Sequence, residues 1–109
     1  MFELDGRTIL VTGASKGIGA AIVEVLGRAG ANVIGHYGGD RAGAEAALAA
    51  IPDDRKLLVQ ADLADMASVD RMWIEALAWR GRIDVLVNNA ATMPISGGFE
   101  SDDDEWDKA

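Results

Sequence analysis

The sequence predicts an α/β fold class, a doubly wound parallel sheet with helices on both faces. Three observations carry that expectation. Four short apolar runs alternate with stretches of helical periodicity, and the links between them are short. The first run passes through a glycine-rich turn directly into the first helical stretch. Strands alternating with helices over short links favour parallel strands joined by helical crossovers.

The elements follow in order. Ile9-Leu10-Val11 reads as a buried parallel strand, spanning about Thr8–Thr12. A helix over Gly17–Ala29 follows, with a 3.6-period apolar face of Ile18, Ile22, Val25, Leu26 and Ala29. Gly30 ends it in the C′ position. Ala31–Tyr37 is the second strand, and Asp40 caps an alanine-rich helix, Arg41–Ile51, that stops at Pro52. Lys56–Ala61 is the third strand and runs into Asp62. Asp65 caps a helix whose apolar positions are Val69, Met72, Trp73, Ala76 and Leu77, and Gly81 ends it. Ile83–Asn88 is the fourth strand. A loop of small residues, Ala90 to Gly98, leads to a new helix start at Ser101 or Asp102. Right-handed crossovers then favour the Rossmann strand order 3-2-1-4.

Composition narrows the function. A chain of 109 residues holds one domain, residues 1–109, with a core but little surplus. It has no cysteine, which removes disulfides, thiol chemistry and zinc–cysteine sites. The net charge is −8, and six of the 18 acids lie in residues 100–109 against one base, Lys108. No basic stripe exists, so nucleic acid is not an expected partner. No apolar run reaches the length of a signal or membrane helix, which predicts a cytoplasmic protein without a membrane partner.

The stretch Thr12-Gly13-Ala14-Ser15-Lys16-Gly17-Ile18-Gly19 carries the chemistry. A strand, a glycine-rich turn and a helix in that order suit an anionic phosphate. Glycines let the backbone approach, and the helix N-terminus offers free N–H groups at the positive end of its dipole. The spacing is Gly-x-x-x-Gly-x-Gly, and Lys16 precedes Gly17, so this is not a Walker loop. The alternative is a tight turn with no ligand. Glycines at a helix start cost about 0.5–1 kcal/mol each, which a ligand would offset.

That string resembles the cofactor loop of the short-chain dehydrogenase/reductase family. Asp62-Leu63 after the third strand and Asn88-Asn89-Ala90 after the fourth match the family's further motifs, so the likeness covers residues 7–109. Ala91 stands where the family usually has glycine. The resemblance is to the N-terminal, cofactor-binding part, and to NADP-preferring 3-oxoacyl-reductase-like members. It implies that Gly13, Ser15, Gly17, Ile18 and Gly19 cradle a pyrophosphate. It further implies that Asp62 and the Leu63 backbone meet the adenine, and that Asn89 and Ala90 line the path from ribose to nicotinamide. For Asp62 a turn cap is the competing reading, and for Asn88 and Asn89 hydrogen bonding between loops.

Cofactor choice depends on the end of the second strand. An acid there bonds a ribose 2′-OH and repels a 2′-phosphate. Tyr37 stands there instead, and Lys16 and Arg41 are placed to reach a 2′-phosphate, so NADP is favoured over NAD. The pair Tyr37-x-x-x-Arg41 imitates the family's catalytic Tyr-x-x-x-Lys. It lies at the adenosine end, and arginine stays charged, so it is rejected as an acid–base pair. The lone histidine, His36, reads as a strand-end surface residue. The run Asp102-Asp103-Asp104-Glu105 reads as acids in a first helical turn, not as a metal site.

The resemblance implies hydride transfer between a nicotinamide and a small-molecule carbonyl or alcohol. In the family a tyrosine, a lysine and a serine beyond a fourth helix and fifth strand do that work. After Ala91 this chain offers Ser96, Ser101 and Lys108 and no tyrosine, so no catalytic residue is identified. The domain reads as incomplete at its C-terminus and inactive alone; the alternative is a non-catalytic dinucleotide-binding or interaction module. The loop Thr92–Phe99 would form a wall of the substrate pocket. A fourth strand with one unpaired apolar edge predicts a homo-oligomer.

Overall fold

The apolar runs pair side by side because each is too hydrophobic to leave either face in water. In the computed structural model, which describes residues 3–89, the strands are β1 (Thr8–Val11), β2 (Asn32–Tyr37), β3 (Lys56–Gln60) and β4 (Val85–Val87). They form one parallel sheet in the order β3-β2-β1-β4. The helices are α1 (Gly17–Arg28), α2 (Arg41–Ala47) and α3 (Met66–Arg80). The expected strand order and fold class are therefore observed. The expected loop from Ala90 and the helix start at Ser101 or Asp102 lie outside the described residues.

Alternation along the strands sorts the core into two layers. Ile9, Val11 and Val33 join Val23 of α1 with Leu48 and Ile51 on one face. Leu10, Ile34 and Val59 join Val69, Met72 and Ala76 of α3 on the other. A twisted parallel sheet with α1 and α2 on one side and α3 on the other is the result. The carboxyl ends of all four strands then point to one edge, which positions the site.

Several boundaries differ from the sequence expectation, each for a local reason. The buried stripe of α1 is Gly19, Val23 and Gly27, while Ile18 and Val25 are 72% and 63% exposed. The helix approaches its neighbours through glycines, so its inner face lies about one residue round from the apolar side chains. A Cβ on Gly27 would meet the Ile51 side chain at 2.6 Å. The second helix stops at Ala47, not Ile51. Beyond it Ala49 N–H bonds Ala46 C=O and Ile51 N–H bonds Leu48 C=O, tightened turns that carry Leu48 and Ile51 into the core. A 3-10 turn, Asp53–Arg55, then leads into β3. Along α3 it is Ser68 that is buried and Leu77 that is exposed.

Caps fall as expected. Asp40 Oδ1 accepts the Gly43 N–H at 2.8 Å and Asp65 Oδ1 accepts the Ala67 N–H at 3.0 Å. Gly30 and Gly81 take positive φ at the ends of α1 and α3. Strand β4 is only three residues long because side chains close both of its ends. Asp84 Oδ2 accepts the Thr8 N–H at 2.8 Å before it, and Asn88 Oδ1 accepts the Thr12 hydroxyl at 3.1 Å after it.

Candidate functional site

The glycine loop leaves β1 at Thr12, whose N–H bonds Val87 C=O. Gly13 and Gly17 both take φ +63, a left-handed turn that side chains resist. Gly19 allows the close crossing of α1 over the loop. A Cβ there would overlap the Gly13 carbonyl oxygen and sit 2.8 Å from the Asn89 amide nitrogen. The α1 N-terminus is left open: Lys16 occupies the N-cap without a side-chain cap bond, and no acid lies in the first turn. Its first amides therefore lack intrahelical partners at an exposed sheet edge, an arrangement that favours an anion.

Neighbouring elements lock the loop from three directions. From β4, the Asn89 N–H donates to Thr12 Oγ1 at 2.9 Å, and Asn89 Nδ2 donates to Gly13 O at 3.2 Å. From α2, Gly43 comes so near that a Cβ there would lie 2.7 Å from Ser15 O. From β2, His36 takes both of the loop's first amides. Its Nδ1 accepts the Gly13 N–H at 3.0 Å and its carbonyl accepts the Ala14 N–H at 2.8 Å. His36 is 3% exposed, which corrects the expectation of a surface residue. Strand β2 lies between β1 and β3, so even its penultimate residue is enclosed.

The adenosine-side candidates gather at the ends of β2 and β3. Tyr37 is buried, and its hydroxyl accepts from Arg41 Nη1 at 3.0 Å. The Arg41 guanidinium stands 6.0 Å from the ring centroid and 3.5 Å from Glu45. The Tyr37 hydroxyl, with its charge and that of Glu45, holds the Arg41 pKa above its ordinary value. The Lys16 side chain is exposed, and its carbonyl accepts the Ala20 N–H at 3.4 Å. Asp62 is exposed too. Its Oδ1 accepts the Ala64 N–H at 3.0 Å, while its own N–H donates to the buried Ser68 hydroxyl at 2.9 Å. Leu63 packs beside the α3-side core.

The parallel sheet thus brings Gly13, Ser15, Lys16, Gly17, Ile18, Gly19, Tyr37, Arg41, Asp62, Leu63 and Asn89 to one edge. Ala90 lies outside the described residues, as do Thr92–Phe99 and the acidic run from Asp102. Asp62 and Asn89 spend part of their hydrogen-bonding capacity on the protein itself. Three residues of the site escaped the sequence reading: His36, Gly43 and Ser68. For His36 the signal was present, since the inferred order already put the second strand inside the sheet. No group of His, Cys, Asp and Glu able to hold a metal ion occurs among the described residues. No helix among them is long and apolar enough to cross a membrane.

The chain is similar to known proteins along nearly its whole length. Over 98 residues it is 42% identical to an uncharacterized oxidoreductase of Methylorubrum extorquens, covering 88% of this chain and 40% of that protein. A short-chain dehydrogenase/reductase of Serratia marcescens superposes with a TM-score of 0.75 at 36% identity, covering 96% of this chain and 44% of that one. The 3-ketoacyl-(acyl-carrier-protein) reductase of Brucella melitensis, solved with NADH, superposes with a TM-score of 0.70 at 36% identity, covering 77% and 34%. The chain therefore spans about two-fifths of the length of the curated relatives it matches. The sequence profile of the short chain dehydrogenase family matches residues 7–109, and with the parallel 3-2-1-4 sheet and its glycine loop this chain belongs to that family.

Proposed function

We propose that residues 1–109 form the dinucleotide-binding part of an NAD(P)(H)-dependent oxidoreductase acting on a carbonyl or alcohol substrate. The observation that carries this reading is the uncapped α1 N-terminus, presented by a left-handed glycine loop at the carboxyl edge of the sheet. The fit is physical. A Cβ on Gly17 would meet nothing within 4 Å, so backbone faces open space where a pyrophosphate can approach. A bound nicotinamide would accept or supply hydride. The residues of this chain bind and orient it.

In this reading the amides of Ser15, Gly17, Ile18 and Gly19 hold the pyrophosphate, and Gly13 makes the turn that aims them. Asp62, through the oxygen not used on Ala64, and the Leu63 backbone meet the adenine; Asn89 and Ala90 flank the ribose. Lys16 and the Arg41 guanidinium, steadied by Tyr37, favour NADP over NAD by meeting a 2′-phosphate. Tyr37 is the sole tyrosine, and its hydroxyl is committed to Arg41. We assign it no proton transfer, and the 109-residue chain alone should show no turnover. The reading also places the protein in the cytoplasm and has it self-associate through β4, which pairs only with β1 among the described residues.

Calorimetric titration of the folded chain with NADP tests the reading. Gly17→Val, which puts a branched side chain in the open approach and on a backbone at φ +63 that resists one, should weaken binding more than tenfold, over about 1.4 kcal/mol. Equal affinities for wild type and variant would overturn the cradle assignment. Absence of binding by a folded wild type would favour an interaction module instead.

A further inference from the structure

We infer that His36 is a positioning residue of the dinucleotide site, its neutral ring clamping the phosphate loop to the end of β3. The inference rests on the dinucleotide reading above and adds a residue that makes no contact with the ligand in that reading.

The bonds fix the chemistry of the ring. An amide N–H can only donate and a carbonyl can only accept. Nδ1 therefore accepts the Gly13 N–H at 3.0 Å, and Nε2 carries the proton and donates to Ala61 O at 2.9 Å. Together with the Ala14 N–H on the His36 carbonyl, one residue uses the loop's first two amides. The amides from Ser15 onward are not taken up by this residue. Through Ala61 the same ring also sets the start of the Asp62 turn against the loop. The phosphate side and the adenine side of the site are thereby held in one register.

Protonation destroys this arrangement. An Nδ1–H would face the Gly13 N–H, two donors with no acceptor between them, inside a nearly closed pocket. The ionisable groups on the segments around the ring are Lys16 beyond the loop, Asp62 beyond β3, Tyr37 and Asp40 at its own strand end, and Asp65 and Asp70 on α3. Of these only Tyr37 is buried. Burial is the largest effect on the ring and lowers its pKa, with the bond to Ala61 opposing. The clamp is thus closed at neutral pH and opens in acid.

The test compares wild type, His36→Asn and His36→Leu as the full 109-residue chain. Asn offers an oxygen to the Gly13 N–H and does not titrate; Leu offers nothing. NADPH affinity is measured at about pH 8 and about pH 5.5, either side of the ordinary histidine value of about 6.5. Titration of the cofactor's own phosphates is common to all three proteins and cancels in the comparison. Between the two pH values wild type should lose several-fold more affinity than His36→Asn, short of the about tenfold that an unshifted imidazole would give one pH unit below its pKa. His36→Leu should bind weakly at both, and His36→Asn should recover part of that loss at the higher pH. An identical pH dependence in wild type and His36→Asn, or wild-type affinity in His36→Leu, would overturn the inference. Amide exchange at Gly13, read by NMR without ligand, separates the two readings. A Gly13 amide that loosens as His36 titrates, in a chain that binds no NADPH, would refute the dinucleotide reading and leave the clamp standing. A Gly13 amide indifferent to that titration would refute the clamp.

Discussion

Gly19 and Gly27 lie about two turns apart on the inner face of α1, and replacing each by alanine isolates what the wall behind a glycine is made of. Either change gains at most about 1 kcal/mol of helix propensity. The walls differ. Behind Gly19 stands backbone: a new Cβ would overlap the Gly13 carbonyl oxygen, and Asn89 Nδ2 would be 2.8 Å away. That carbonyl is held by Asn89 and by a turn at φ +63, so α1 must move off the loop. Forced overpacking costs about 1–3 kcal/mol, and losing the Asn89 bond adds about 0.5–1.5 kcal/mol. Gly19→Ala should therefore destabilise by about 1–3 kcal/mol net. Behind Gly27 stands the Ile51 side chain, with Cγ1 at 2.6 Å and Cδ1 at 2.8 Å. Ile51 is buried and stiff at χ1, so Gly27→Ala also overpacks, by about 1–3 kcal/mol. It breaks no hydrogen bond, however, and should be the milder change by about the 0.5–1.5 kcal/mol of the Asn89 bond. Urea unfolding followed by far-UV circular dichroism reads the difference. With about 1–3 kcal/mol per molar for a small protein, the two midpoints should separate by about 0.5 M, with Gly19→Ala the lower. Equal midpoints, or Gly27→Ala the less stable, would refute the argument that the bonded backbone behind Gly19 yields less than the Ile51 side chain.

Other consequences are open to measurement. NADP should bind more tightly than NAD, and Lys16→Glu should erase the difference; a wild-type preference for NAD would remove Lys16 and Arg41 from the 2′-phosphate role. The Asp84 carboxyl is held below its ordinary pKa, first by the Thr8 amide and then by Arg82. Its contribution to stability is present above the ordinary carboxylate value of about 3.9 and is lost as pH falls through the lower folded value. Asp84→Asn should therefore flatten the acid limb of the stability curve. His36 acts in a higher window. Its folded pKa is lowered, so its contribution is full above about pH 6.5 and declines as pH falls from there towards the folded value, by at most about 1.4 kcal/mol per pH unit. His36→Asn should remove that slope in denaturant melts, whereas an unchanged slope would assign it to another group. Val87→Lys should shift any assembly of the chain towards monomer in sedimentation; an unchanged assembly would remove β4 from its interface.

The sheet was legible because its strands are buried on both sides. Leu10 and Ile34 face α3 while Ile9, Val11 and Val33 face α1 and α2, so no polar residue interrupts the runs from Ile9 to Val11 or from Val33 to Ile34. The helix faces were less legible, and α1 shows why. Periodicity scores apolar side chains, but the stripe that packs closest is Gly19, Val23 and Gly27, where the closeness depends on having no side chain. Ile18 and Val25, which scored as core, are exposed in consequence. Leu48 and Ile51 misled in the opposite direction. They carry the right spacing to extend α2, yet they reach the core only because the helix unwinds after Ala47.

The site divides along the same line. Residues whose role is to expose backbone, Gly13, Gly17 and Gly19, announce themselves, because left-handed turns and close crossings select glycine almost by default. Residues whose role is to satisfy backbone do not. Nothing in the string Ile34-Gly35-His36-Tyr37 marks His36 as the acceptor for Gly13, a residue on another strand, and Ser68 meets the Asp62 amide only once α3 has folded back over the sheet. Such partners become visible when each buried N–H of the loop is traced to its acceptor. For Gly13 and Ala14 that trace ends on one histidine, where an apolar side chain would leave the Gly13 amide unpaired. Strand propensity would accept such a substitution; the hydrogen-bonding of the loop would not. The two criteria part at His36, which is enclosed because β2 lies between β1 and β3.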